Sequence, residues 1–144
     1  MKKTLKLIFT LTLALATVLA AAFCFTACKK ENPTDYTSKV YYADTALGEG
    51  SKTVTVKIED TEKAVTFTIR TDKSTVGEAL LEHGLIDGEE GAYGMYIKSA
   101  NGTVADYDKD QSYWAFYVGN DYSMTGVDTT PIEEGVIYRI VYTK

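Results

Sequence analysis

The strongest constraint on the fold is a change of hydrophobic period near residue 75. Thr53-Val-Thr-Val-Lys-Ile-Glu59 alternates strictly and places Val54, Val56 and Ile58 on one face. Asp60 to Lys63 is polar, and Ala64 to Arg70 alternates again with Val65, Phe67 and Ile69 inward. Two half-buried strands joined by a short polar turn predict a hairpin. From Thr75 the spacing becomes helical, with Val76, Ala79, Leu80 and Leu81 forming the apolar stripe. Thr75-Val-Gly-Glu78 has the form of a capping box, in which the threonine hydroxyl and the glutamate each satisfy an orphan amide. Gly84 suits the position just past a helix end, so a short helix is predicted over 76–83.

Beyond the helix the signals are again those of strands and turns. Asp87-Gly-Glu-Glu-Gly91 reads as an acidic loop and Tyr93 to Ser99 as a strand. Asn101-Gly102 is a type I′ hairpin signal, because both residues tolerate positive φ. Asp106 to Gln111 is a polar loop, and Ser112 to Val118 is the most apolar strand. Tyr122 to Asp128 is irregular, Pro131 to Gly135 is a turn, and Val136 to Thr143 is the last strand. One helix among so many strands predicts an α+β domain: a β-grasp-like mixed sheet of about five to six strands packed by one short helix.

The N-terminus reads as a targeting segment, which must be set apart from fold reasoning. Lys2, Lys3 and Lys6 precede an apolar run from Leu7 to Phe23, and Phe25-Thr-Ala-Cys28 follows. This resembles the lipobox of bacterial lipoproteins, with phenylalanine where leucine is commonest. The resemblance implies a signal peptide over 1–27 and a lipid on Cys28. An uncleaved membrane anchor is the competing reading, since about 20 apolar residues span a bilayer. Either reading places the remainder outside the cytoplasm, held at the bacterial cell membrane. Residues 28–50, with Pro33 and Gly48-Glu-Gly50, then form a flexible tether whose distal tyrosines could pack on the domain, and 51–144 form the domain.

Cleavage alters the charge. The segment before Cys28 holds three lysines and no acid, leaving 12 basic residues against 20 acidic and a net −8. Such a surface repels polynucleotide phosphates, so no nucleic-acid partner is expected. Cys24 leaves with the signal and Cys28 is the lipid site, so no thiol remains for a disulfide, nucleophile or metal. His83 is the sole histidine and lies near a helix C-terminus, where a partly cationic ring suits the dipole. Asp106, Asp108 and Asp110 alternate, but the glycine and the distant glutamate of a calcium loop are missing. With no catalytic motif, no metal site and no required cofactor, a binding module is expected rather than an enzyme.

The aromatic residues carry more information. Tyr93, Tyr96, Tyr107, Tyr113, Tyr117 and Tyr122 crowd the second half of the chain with Trp114 and Phe116. On the strand from Ser112, alternation puts Trp114, Phe116 and Val118 on one face and Tyr113 and Tyr117 on the other. Tyrosine offers flat apolar area with a polar tip at low entropic cost, which suits contact with a ligand. Cross-strand packing accounts for such residues as well.

Several segments taken in order resemble a known family. They are Thr75-Val-Gly-Glu-Ala-Leu-Leu81, Tyr93-Gly-Met-Tyr-Ile-Lys-Ser-Ala-Asn-Gly102, Tyr113-Trp-Ala-Phe-Tyr-Val-Gly-Asn120, Thr125-Gly-Val127 and Ile132-Glu-Glu-Gly-Val136. The set, spanning 52–144, resembles a bacterial family of unknown function similar to the C-terminal domain of transcobalamin and intrinsic factor. The resemblance implies a non-catalytic β-grasp-like domain that covers one face of a corrinoid. It matches Trp114 to the tryptophan of the carriers' Tyr-Trp strand and favours an indole standing at the sheet end. The expected contact surface is Tyr93, Tyr96, Tyr113, Trp114, Tyr122 and Met124. A cobalamin-type small molecule is then the expected ligand, taken up with a transporter or other surface protein. Members of the family are also appended to adhesion proteins, so a cell-surface protein-interaction role is the alternative.

Overall fold

A computed structural model describes residues 35–144. The leader and Cys28 lie outside the described residues. Among the described residues, nine strands form two sheets. They are β1 (Thr45–Leu47), β2 (Lys52–Glu59), β3 (Ala64–Thr71), β4 (Ile86–Gly91), β5 (Gly94–Ala100), β6 (Thr103–Val104), β7 (Tyr113–Val118), β8 (Asp121–Tyr122) and β9 (Ile137–Thr143). Helix α1 is Val76–Glu82 and α2 is the single turn Tyr107–Asp110. The main sheet has six strands in the order β1-β3-β2-β9-β7-β8, and the smaller has the order β4-β5-β6.

The alternating segments form the predicted hairpin, with Val54 opposite Ile69, Val56 opposite Phe67 and Ile58 opposite Val65. The last strand inserts parallel to β2, so the first long strand and the last are central neighbours. Apolar rows then run across one face: Phe67, Val56, Tyr138 and Val118 in one, Val65, Ile58, Ile140 and Phe116 in the next. This is the β-grasp-like α+β arrangement anticipated from the period change.

Helix α1 covers that face with Val76, Ala79 and Leu80, each fully buried. Its N-terminus carries both halves of the capping box. The Glu78 amide donates to the Thr75 hydroxyl at 3.3 Å and the Thr75 amide donates to the Glu78 carboxylate at 3.1 Å. These bonds, with one from the Ser74 amide, hold the Glu78 carboxyl below its ordinary pKa. His83 caps the C-terminus and Gly84 follows at φ 65°. Leu81 departs from expectation: it is 44 % exposed, because at about 100° per residue it turns off the face shared by Val76, Ala79 and Leu80.

Residues before 51 also pack against the domain, and the acidic segment differs from expectation. Thr45–Leu47 pairs in parallel with β3, and the Tyr41 ring meets Phe67 edge-on at 5.4 Å. The Lys39 amide donates to the Gly84 carbonyl at 2.7 Å, and the Tyr41 amide to the Asn101 side chain at 2.7 Å. The acidic loop is likewise strand β4, antiparallel to β5 with a bulge at Asp87/Gly88. Its acids face polar partners: Glu89 receives the Lys98 ammonium at 3.1 Å and the Tyr36 hydroxyl at 2.8 Å. At the next turn Asn101 and Gly102 have φ 44° and 84°, the signs a type I′ hairpin requires.

The three alternating aspartates have structural duties. The Asp106 side chain accepts from the amides of Asp108 and Lys109 and caps α2, while Asp110 accepts from Ser112 and pairs with Lys144. Among the described residues no cluster of three His, Cys, Asp or Glu side chains is placed to hold a metal ion.

Candidate functional site: an aromatic cleft beside strand β7

Strand β8 pairs with only two residues of β7. The Ser123 amide adds one more bond, to the Phe116 carbonyl at 2.9 Å. There the chain turns away. The Ser123 hydroxyl donates to the Thr125 carbonyl at 2.9 Å and accepts from the Thr125 amide at 3.3 Å, closing a tight local turn. The following segment crosses to the β4–β5 hairpin and is clamped there twice. The Gly126 amide donates to the Tyr93 carbonyl at 2.8 Å, and the Asp128 carboxylate accepts from the Met95 amide at 2.6 Å. A short 3-10 turn, Val127–Thr129, then meets α1.

The departure of this loop from β7 opens a cleft of about 270 Å³. Its walls are residues 91–97 of the hairpin, Tyr113, Trp114 and Phe116 of β7, and residues 122–127 of the loop. All six side chains expected to form a contact surface, Tyr93, Tyr96, Tyr113, Trp114, Tyr122 and Met124, border this one cleft. None of the lining residues is charged, although the domain as a whole is acidic.

The six differ in role. Tyr93 and Met124 stand at the rim, 81 % and 79 % exposed. Tyr122 is also exposed, its ring edge-on to Tyr117 at 5.5 Å. Tyr113 is half-buried and meets the Tyr107 ring at 6.5 Å. Tyr96 has the Lys98 ammonium 4.5 Å from its ring centre. Burial pushes the Tyr96 phenol above its ordinary pKa, against the opposing pull of Lys98, so it stays a neutral donor through mildly alkaline pH.

Trp114 is not a free-standing indole at the sheet end. It is 5 % exposed and part of the core, edge-on to Tyr142 at 5.4 Å. Its Nε1–H donates to the Thr103 carbonyl at 3.3 Å, tying the two sheets together. A buried indole needs such a partner, and the position on β7 supplies it. Trp114 therefore forms the cleft floor while serving as core.

Several lining residues had no sequence signal. Phe116 reads as core, and Met95 and Ile97 read as ordinary strand residues. Gly126 lies where a Cβ would come within 2.5 Å of the Met95 nitrogen and the Asp128 carboxylate. The Thr125-Gly-Val127 segment of the family resemblance was the one hint that this loop is built to approach the hairpin closely.

Comparison with known proteins follows the same lines. Residues 73–137 match the model of a domain of unknown function, DUF4430. A solved protein from Ruminococcus gnavus, described as a candidate metal-binding protein, is 29 % identical. It superposes with a TM-score of 0.61 over 65 % of this chain and 98 % of its own. Haptocorrin in complex with Cbi is 15 % identical with a TM-score of 0.53. That match covers 68 % of this chain and 27 % of haptocorrin, and it shows a shared fold. No curated protein matches the chain. These matches agree with the resemblance stated from sequence: residues 73–137 match a domain of unknown function, and the fold is shared with about a quarter of the transcobalamin-like haptocorrin.

Proposed function

We propose that this domain is a non-enzymatic binding module whose aromatic cleft takes a small ligand of the corrinoid class, of which cobinamide is the natural probe. It would be carried outside the cytoplasm on a lipid at Cys28 and serve uptake with a transporter or another surface protein. The carrying observation is the convergence of Tyr93, Tyr96, Tyr113, Trp114, Tyr122 and Met124 on one uncharged cleft held between two clamped walls. Concave, mostly apolar sites with a few polar tips are the usual form of small-molecule sites. The lining offers no acid–base pair and no metal ligands of the His, Cys or carboxylate type, which favours binding over catalysis. The shared fold with haptocorrin supports the choice of ligand class.

The test is a cobinamide titration read by tryptophan fluorescence, which is clean because the chain has one tryptophan and it floors the cleft. Tyr93→Ala and Met124→Ala should each weaken binding about fivefold to tenfold, as loss of a rim contact worth about 1 kcal/mol implies. Their melting curves should stay within about 0.5 kcal/mol of the parent, since both side chains are exposed. Unchanged affinity in both variants would remove the rim from the site. A saturable interaction with a surface protein and none with cobinamide would favour the protein-interaction role.

A further inference from the structure

The short turn Val127–Thr129 meets both helix α1 and strand β5, and Asp128 makes a close contact with each. On the helix side the contact is between main chains. Gly77 is buried in the first turn of α1. A Cβ on it would stand 2.7 Å from the Asp128 nitrogen and Cα and 2.9 Å from the Val127 carbonyl carbon. Alanine is the better helix former, so glycine weakens the helix here. What it provides is room for the turn to come close. On the hairpin side Asp128 acts through its carboxylate. One oxygen accepts the Met95 amide at 2.6 Å, and a Cβ on Gly94 would stand 2.7 Å from the same oxygen. The chain after the turn is tied to the helix entrance. The Val76 amide donates to the Thr130 carbonyl at 2.9 Å, and the Ile132 amide to the Ser74 carbonyl at 3.1 Å.

We infer that Gly77 and Asp128 form a positioning pair for the cleft, an inference that rests on the binding role proposed above. Neither residue lines the cleft, so both act through others. Gly77 sets how near the turn comes to α1, and Asp128 passes that setting to Gly94 and Met95 of the cleft wall. A methyl group at position 77 needs an ordinary contact distance of about 3.5–4.0 Å, so helix and turn must part by roughly 1 Å. The helix resists that shift, because Val76, Ala79 and Leu80 lock it into the core and the capping box fixes its first turn. The turn moves instead, and it carries the Asp128 carboxylate and the adjoining wall, residues 122–127. Close-packed backbones have no slack to absorb such a step.

The experiment measures cobinamide affinity by tryptophan fluorescence and the Met95 amide resonance by NMR in Gly77→Ala, Asp128→Ala and Thr75→Ala. The last removes the cap of the same helix without adding an atom, so it reports helix weakening alone. Gly77→Ala should move the Met95 amide upfield as its short charge-assisted bond lengthens, and should lower affinity about fivefold. Asp128→Ala should change both readouts in the same direction. Thr75→Ala should keep the parent's Met95 resonance and affinity. If Gly77→Ala does not fold, Asp128→Ala carries the test: the fivefold loss supports the pair, and parent affinity overturns it. Parent affinity in both variants, with the parent binding cobinamide, overturns this inference and leaves the binding role standing. An equal loss in Thr75→Ala overturns it as well, because affinity then follows helix stability. A loss in Gly77→Ala with Met95 unmoved breaks the pair, since the route through Asp128 is then absent. Failure of the parent to bind cobinamide overturns both the inference and the corrinoid role.

Discussion

Phe67→Ala is expected to destabilise the domain by about 3–5 kcal/mol in a denaturant melt, the range for truncating a fully buried aromatic. Phe67 is 0 % exposed and sits where three structural commitments meet. It pairs with Val56 across the first hairpin and with Thr45 of β1. It lies in the apolar row that continues through Tyr138, another fully buried side chain. It also receives the Tyr41 ring, the principal aromatic anchor of residues 35–50. The alanine cavity cannot close readily, because strands on both sides fix the backbone. The same variant should speed proteolysis between Tyr36 and Tyr42, since that segment loses its anchor. A loss below about 1 kcal/mol, with unchanged proteolysis, would show that this residue and the segment it holds are not part of the core.

Gly126→Ala should have the largest effect on the cleft. Its φ of −70° is open to any residue, so the constraint is space and not conformation. A Cβ there would stand 2.5 Å from the Met95 nitrogen and 2.8 Å from the Gly94 carbonyl carbon. Backbone atoms cannot swing aside as a side-chain tip can, so hairpin and loop must separate. That separation stretches both clamps, Gly126 to Tyr93 and Met95 to Asp128. The expected cost is about 1–3 kcal/mol of stability, typical of overpacking. Cobinamide affinity should fall more than tenfold, because the walls no longer hold the bound geometry. A variant that keeps both parent affinity and parent stability would show that the loop's close approach does not shape the cleft.

Much of this architecture is legible in the chain, and the reasons are local. β2 and β3 announce themselves because strict alternation leaves only one face to bury, and α1 because Thr75 and Glu78 cap it within four residues. Asn101-Gly102 names its own turn. β4 was illegible because Asp87-Gly-Glu-Glu-Gly91 has no apolar alternation; its pairing is imposed by β5, and Gly88 admits the Tyr96 carbonyl where a Cβ would come within 2.2 Å. β1 was hidden for the same reason, since three residues acquire strand character only from a parallel neighbour far along the chain. The aromatic site residues were legible as a group because they crowd the second half of the chain and occupy both faces of the strand from Ser112, more than one core face requires. What the sequence could not supply was their division of labour. Trp114 became floor and core together because Thr103 happens to offer a carbonyl to its indole. The clamps of Gly126 and Asp128 depend on two loops meeting, which no spacing reveals.

We propose the cleft between residues 91–97, the start of β7 and residues 122–127 as the ligand site. Amide-resolved NMR of the uniformly labelled domain with stepwise cobinamide tests it most directly. Saturable shifts confined to those three segments are expected, with resonances of β1, β3 and the exposed face of α1 unmoved. Saturable shifts centred elsewhere, or none at any cobinamide concentration, would contradict it.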